Sequence, residues 1–210
     1  MTSTLLSLLE SFNRKERFFL VGAALGRPLF ELSDEFREML RSWFGASVPT
    51  DAFVAMDYHI DWLQMSIWLA QHGEPASHWQ DTDHIASGNQ EDIDLVVAFD
   101  SADGPHLILI EAKVDTGWNN AQLKSKARRL AAAFPESAIS ALRLHPHYGL
   151  MSPKESPHIN VANWPQWMTH DAKPRWHHLG MPAGRRQMVR CDSNGKNAAA
   201  GGWVRIDTLK

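Results

Sequence analysis

The nine residues from His106 to Val114, HLILIEAKV, constrain the fold more than any other stretch of the chain. Their leucines and isoleucines make a strand apolar enough to be buried on both faces of a sheet. Glu111 and Lys113 nevertheless stand near its end. Upstream, Ile93–Phe99 alternates with a period of two and reads as a second strand, and Asp100-Ser-Ala-Asp-Gly-Pro105 has the composition of a turn. A strand buried on both faces needs covering layers, and helical patterns supply them. Leu5 to about Leu25 reads as a helix that ends near Gly26-Arg27-Pro28. Ser33 is an N-cap residue for a second helix, with Phe36, Met39, Leu40 and Trp43 at helical spacing and a stop at Gly45. The stripe Phe53, Met56, Ile60, Leu63, Ile67 predicts a third helix over about 50–71. A fourth is predicted over 119–133, before Pro135, and residues 145–152 return to strand. A hairpin, 186–192 with 202–206, closes the chain around Ser193-Asn194-Gly195. The plan is mixed α/β.

At 210 residues the chain is read as one domain, large enough to bury a core without disulfides. Its single cysteine, Cys191, fits a reducing compartment. The start, MTSTLLSLLESFNRKERF, lacks the basic opening and cleavage site of a secretory leader. No apolar run approaches the ~20 residues of a membrane helix. These features predict a soluble, cytoplasmic chain with no membrane partner. The formal charge of −3 does not itself announce nucleic-acid binding. Its distribution says more: residues 81–103 carry seven acids and no Lys or Arg, whereas residues 113–129 carry five bases against Asp115 alone. An acidic cluster facing a basic helix suits a metal site beside a phosphate-binding surface; two oppositely charged solvated faces remain the equal alternative.

If the two strands form an antiparallel hairpin about the centre of the 100–105 turn, Phe99 pairs with His106 and Asp94 falls opposite Glu111. Directly opposed side chains lie about 4.5–5.5 Å apart at Cβ. Two carboxylates that close repel unless one is protonated or a cation bridges them. A hard divalent ion such as Mg²⁺ takes such oxygen ligands. Lys113, two residues beyond Glu111, shares its face. The competing view is an ordinary charged pair at a strand end. A one-residue slip in register would also separate the two acids.

The pattern Asp94–x16–Glu111–Ala112–Lys113, on adjacent strands and followed by a helix, resembles the PD-(D/E)xK nuclease superfamily over roughly residues 50–152. Ile93 stands where many members have proline. The resemblance implies a restriction endonuclease-like α/β core: a helix, a mixed sheet carrying the ExK hairpin, a crossing helix and a further strand. Residues 1–49 are then a helical N-terminal extension and residues 153–210 a C-terminal appendage. It further implies Mg²⁺ (or Mn²⁺) held by Asp94, Glu111 and the Ala112 carbonyl, with Lys113 assisting the attacking water. The substrate implied is nucleic acid, with DNA favoured, and a homodimer or partner protein would permit two cuts. Gln122 and Lys126, one turn apart, resemble the Gln-xxx-Tyr/Lys extension of exonuclease-like branches, which makes Gln122 a further catalytic candidate. Members often add an acid upstream, for which Asp57, Asp61 and the more remote Glu16 are the candidates.

Lys124, Lys126, Arg128 and Arg129 on the predicted helix, and Arg185, Arg186 and Arg190 near the C-terminus, are candidate phosphate contacts. Arg175 and Lys196 extend the C-terminal set. A zinc site from His145, His147, His177, His178 and Cys191 lacks the paired spacing of a zinc module. Trp164, Trp167, Trp176 and Trp203 could stack on bases, but core or lid packing is the commoner use of such residues.

Overall fold

The chain turns on Ala102 and Asp103 between strand β2 (Asp92–Ser101) and strand β3 (Gly104–Ala112). The computed structural model describes residues 4–12, 24, 30–74, 78, 80–82, 84, 88, 91–114, 117–180 and 183–208. The ladder runs past the predicted turn, through Asp100↔Pro105 to Ser101↔Gly104, so the turn is two residues rather than six. Its centre of symmetry is unchanged, and Phe99 pairs with His106. Gly104 takes φ +133, and a Cβ there would lie 2.1 Å from the Arg143 carbonyl oxygen, so only glycine fits this closure.

Strand β1 (Phe53–His59) flanks β2 antiparallel and is followed directly by helix α3 (Ile60–His72). This corrects the single helix expected over 50–71. The apolar stripe at 53, 56 and 60 suits a helix, but Phe53 and Ala55 also alternate as a strand, and pairing with β2 decides the outcome. Asp57 sits inside β1 in the left-handed region, at φ 48, level with Asp94 on β2. The strand ends where the His59 imidazole accepts from the Asp61 N–H and caps α3.

After β3 the chain forms helix α4 (Asn120–Ala133), capped by the Asn119 side chain, and the short helix α5 (Glu136–Leu142). It returns as β4 (His145–Ser152), parallel to β3, and β7 (Trp176–His178) lies parallel to β4. The sheet order is β1-β2-β3-β4-β7. Helix α1 (Leu5–Phe12), α3, α4, α5 and the segment around Trp164 and Met168 cover one face. Residues 13–23 and 25, which completed the first predicted helix, lie outside the described residues, as does Glu16.

Helix α2 (Asp34–Phe44) is capped by Ser33 and ended by left-handed Gly45. It covers the other face with Leu40 and Phe44 against Val97, Phe99, Ile108 and Ile110. Trp43 presses so closely on β4 that a Cβ at Gly149 would lie 2.3 Å from its ring. Two short pieces, β5 (Thr169–His170) and β6 (Lys173–Pro174), pair with each other. The closing hairpin, β8 (Arg186–Cys191) with β9 (Trp203–Thr208), forms its own two-stranded sheet. Among the described residues no helix is long and apolar enough to cross a membrane.

Candidate active site

Asp94 lies one pair beyond Leu95↔Ile110, the last pair of the ladder, which sets it level with Glu111. Instead of a backbone acceptor, the Ala112 N–H finds the Asp94 Oδ2, at 2.7 Å. This bond fixes the Asp94 carboxylate against the Glu111–Ala112 peptide. Glu111 lies on the α4 side of β3, since Ile108 and Ile110 point to the opposite, α2, layer. It is only 2 % exposed.

The partner of Glu111 comes from α4. Lys126, 3 % exposed, places its Nζ 2.6 Å from Glu111 Oε1 and donates to the Asp92 carbonyl at 2.6 Å. Lys126 is buried because it shares the helix face of Leu123, Ala127 and Leu130. Burial raises the Glu111 carboxyl most; Lys126 opposes that shift, the Asp94 charge adds to it, and the balance is a pKa of about 7. Lys113 is half-buried and also steadies the charged form of Glu111. Its backbone N–H donates to the Met151 carbonyl and ties the end of β3 to β4.

Tyr148 on β4 completes the enclosure. It is fully buried, and its Oη has no hydrogen-bond partner among the described residues. Burial, and then the charges of Glu111, Asp94 and Glu91, hold the phenol well above its ordinary pKa. The hydroxyl therefore stays protonated beside the two acids. Nothing in the local sequence HPHYGLMS singles out this tyrosine.

The remaining candidates divide. Lys126 and Arg129 are withdrawn from the nucleic-acid surface expected of them. Lys126 is spent on Glu111, and Arg129 pairs with Asp61 and lies 3.3 Å from Glu91 Oε2. Asp61, on α3, is thereby engaged in an ion pair beside the site. Asp57 reaches its place level with Asp94 from a strand, not from the predicted helix. Gln122, Lys124 and Arg128 are exposed on α4, and Arg185, Arg186 and Arg190 are exposed at the hairpin.

Trp164 is buried and packs edge-on against Tyr148, and Trp176 donates to Ser152, so both serve packing. His147 contacts His106 at 3.2 Å on the α2 side, and His145 stacks on the same His106 ring, whereas His177 packs against Trp43. Among the described residues no three or more His, Cys, Asp or Glu side chains gather in a way that could hold a metal ion.

Chemically the site brings two hard carboxylates together, oxygen donors of the kind that Mg²⁺ or Mn²⁺ takes. Burial first, and then the Asp94 charge, disfavour the ionised form of Glu111, and Lys126 offsets only part of that. Comparison of the chain with protein-family models, with curated proteins and with solved structures finds no match.

Proposed function

We propose that the protein is a divalent-metal-dependent nuclease that hydrolyses phosphodiester bonds, with DNA as its preferred substrate. The observation that carries this reading is the meeting of Asp94 and Glu111 on adjacent strand ends, with Lys113 beside them. The order of hairpin, crossing helix α4 and parallel strand β4 also agrees with the core that the PD-(D/E)xK resemblance implies.

In this reading Asp94, Glu111 and the Ala112 carbonyl would hold the ion, which would supply Lewis-acid chemistry at the phosphate and the attacking water. The chain's own residues prepare the site. The Ala112 N–H orients Asp94. Lys126 engages Glu111 Oε1, which leaves the second oxygen for a ligand. Lys113, less buried than either, is the amine placed to orient the attacking water and to offset charge developing on phosphorus. Gln122, exposed on the first turn of α4, would touch substrate rather than support the acids.

One observation favours a second reading, that of a nuclease-like module that binds without cleaving: the Lys126 ammonium already supplies a positive charge at Glu111. A cleavage assay in Mg²⁺ or Mn²⁺ separates the two, using supercoiled and linear DNA and RNA. We expect cleavage by the wild type and a loss of at least 100-fold in Glu111→Gln and Lys113→Ala, with folding verified by circular dichroism. Undiminished cleavage in both variants would overturn the assignment of the site, and a wild type that binds nucleic acid without cutting it would support the second reading.

A further inference from the structure

The closing hairpin is a two-stranded ribbon that pairs with no strand of the main sheet. Such a ribbon is marginal in water unless something supports it. Here Arg205 does so: its guanidinium forks onto both Asp207 carboxylate oxygens and also donates to Asn197 and the Gly195 carbonyl. The register Met188↔Ile206 and Arg190↔Val204 puts Arg205, Val189 and Cys191 on one face and Arg186, Met188, Arg190, Val204 and Ile206 on the other.

That second face is open. Met188 is 76 % exposed, Ile206 66 % and Val204 62 %. It carries two arginines and no acid, with Arg185 adjoining it at one end of β8 and Asp192 at the other, where the Asp192 carboxylate accepts from the Asn194 and Lys196 N–H groups. Arg190 gives one N–H to the Ala199 carbonyl, and among the described residues Arg185 and Arg186 make no ion pair. An apolar strip between cations, with no acid on the face itself, complements a polyanion that also presents apolar surface.

We propose that this face of β8–β9 binds the major groove of duplex DNA. The B-form major groove is about 12 Å wide and admits a two-stranded ribbon. Arg186 and Arg190 are both on β8, four residues or roughly 13 Å apart along the strand, so with the ribbon lying along the groove both guanidinium groups reach phosphates on the rim that β8 follows. Met188 and Ile206 then lie between them, over base edges, where thymine methyl groups offer apolar contact. Arginine suits this work because its planar fork grips phosphate in two hydrogen bonds. The A-form groove of duplex RNA is too deep and narrow for the same contact.

The inference takes its biological purpose from the nuclease reading, but its test does not depend on cleavage. Binding of the full chain to a 20-base-pair DNA duplex is measured in EDTA across a salt series. The RNA duplex of the same sequence, the separate DNA strands, polyglutamate and phosphatidylserine vesicles are measured beside it. We expect the DNA duplex to bind tightest. Arg186→Ala with Arg190→Ala should weaken it at least tenfold and reduce the slope of log affinity on log salt by about 1.8. Met188→Ser with Ile206→Ser should weaken DNA-duplex binding and leave RNA binding unchanged. All four side chains are exposed, so the fold should survive, and circular dichroism verifies it. Unchanged DNA affinity and salt slope in the arginine pair, or equal losses across DNA, RNA, polyglutamate and vesicles, would overturn the proposal. A chain that binds the duplex but does not cut it would sink the nuclease reading alone.

Discussion

Replacing Lys126 with methionine tests the central electrostatic claim, because it removes the ammonium and keeps most of the volume. Holding Glu111 ionised against a pKa of about 7, rather than the ordinary 4.5, already costs roughly 3 kcal/mol at alkaline pH. Removing the partner of a buried ion pair adds about 3–5 kcal/mol, since the remaining charge is left dry and unpaired. At pH 8.5 Lys126→Met should lose that amount, and at about 2–4 °C per kcal/mol for a chain of this size the melting temperature should fall by roughly 6–20 °C. At pH 5.5 Glu111 is protonated with or without Lys126. Only the hydrogen bond to the Asp92 carbonyl is then lost, a matter of about 1–2 kcal/mol. The assay is urea unfolding followed by far-ultraviolet circular dichroism at both pH values. Glu111→Gln combined with Lys126→Met should recover most of the alkaline loss. An equal penalty at the two pH values, or a larger one at pH 5.5, would refute the reasoning.

Two further predictions concern buried groups around the sheet. Tyr148→Phe deletes a hydroxyl that has no partner among the described residues, and should leave stability unchanged or raise it by up to about 1 kcal/mol; a loss above that in a thermal melt would mean that the Oη is satisfied. His147, packed against Phe44, His106 and Arg175, is held neutral by burial and its pKa falls to about 4. Its proton is taken up on unfolding, so its contribution is present above pH 6.5 and lost between 6.5 and 4, by up to about 3 kcal/mol. Glu111 acts in the opposite sense, since folding takes up its proton between pH 4.5 and 7. In His147→Gln, stability should therefore rise as pH falls from 7 to 4.5; a persistent decline in urea midpoints would contradict the assignment.

The hairpin was legible because its period of two, its turn composition and its symmetric count all agree, and they bring Asp94 level with Glu111 without any tertiary information. Helix α4 was legible from Asn119 and Pro135, and the closing hairpin from its turn residues. Strand β1 was not, because Phe53, Met56 and Ile60 satisfy a helical stripe as well as they do a strand, and only the neighbouring β2 selects between them. Residue type sends Arg129 to the surface and leaves Lys126, one turn from Gln122, open to either the active site or a substrate phosphate; the structure takes it to Glu111. The spacing Leu123, Lys126, Ala127, Leu130 already placed Lys126 on the buried stripe, and that signal outweighs its charge once Glu111 is there to receive it. Tyr148 depends on how β4 pairs with β3 and on Trp164 packing over it, which no local pattern records.

The left-handed residue at Asp57 also determines how the sheet ends. Among the described residues strand β1 is the outer strand on that side, and an uninterrupted outer strand offers a row of free backbone groups on which another chain can polymerise. Asp57 breaks that row in mid-strand with a reversed φ and a charged side chain. At the opposite edge, β7 is only three residues long. Neither margin gives an incoming strand a continuous template, so a chain whose central strand is as apolar as HLILIEAKV is guarded against edge-to-edge aggregation by the same aspartate that stands level with Asp94.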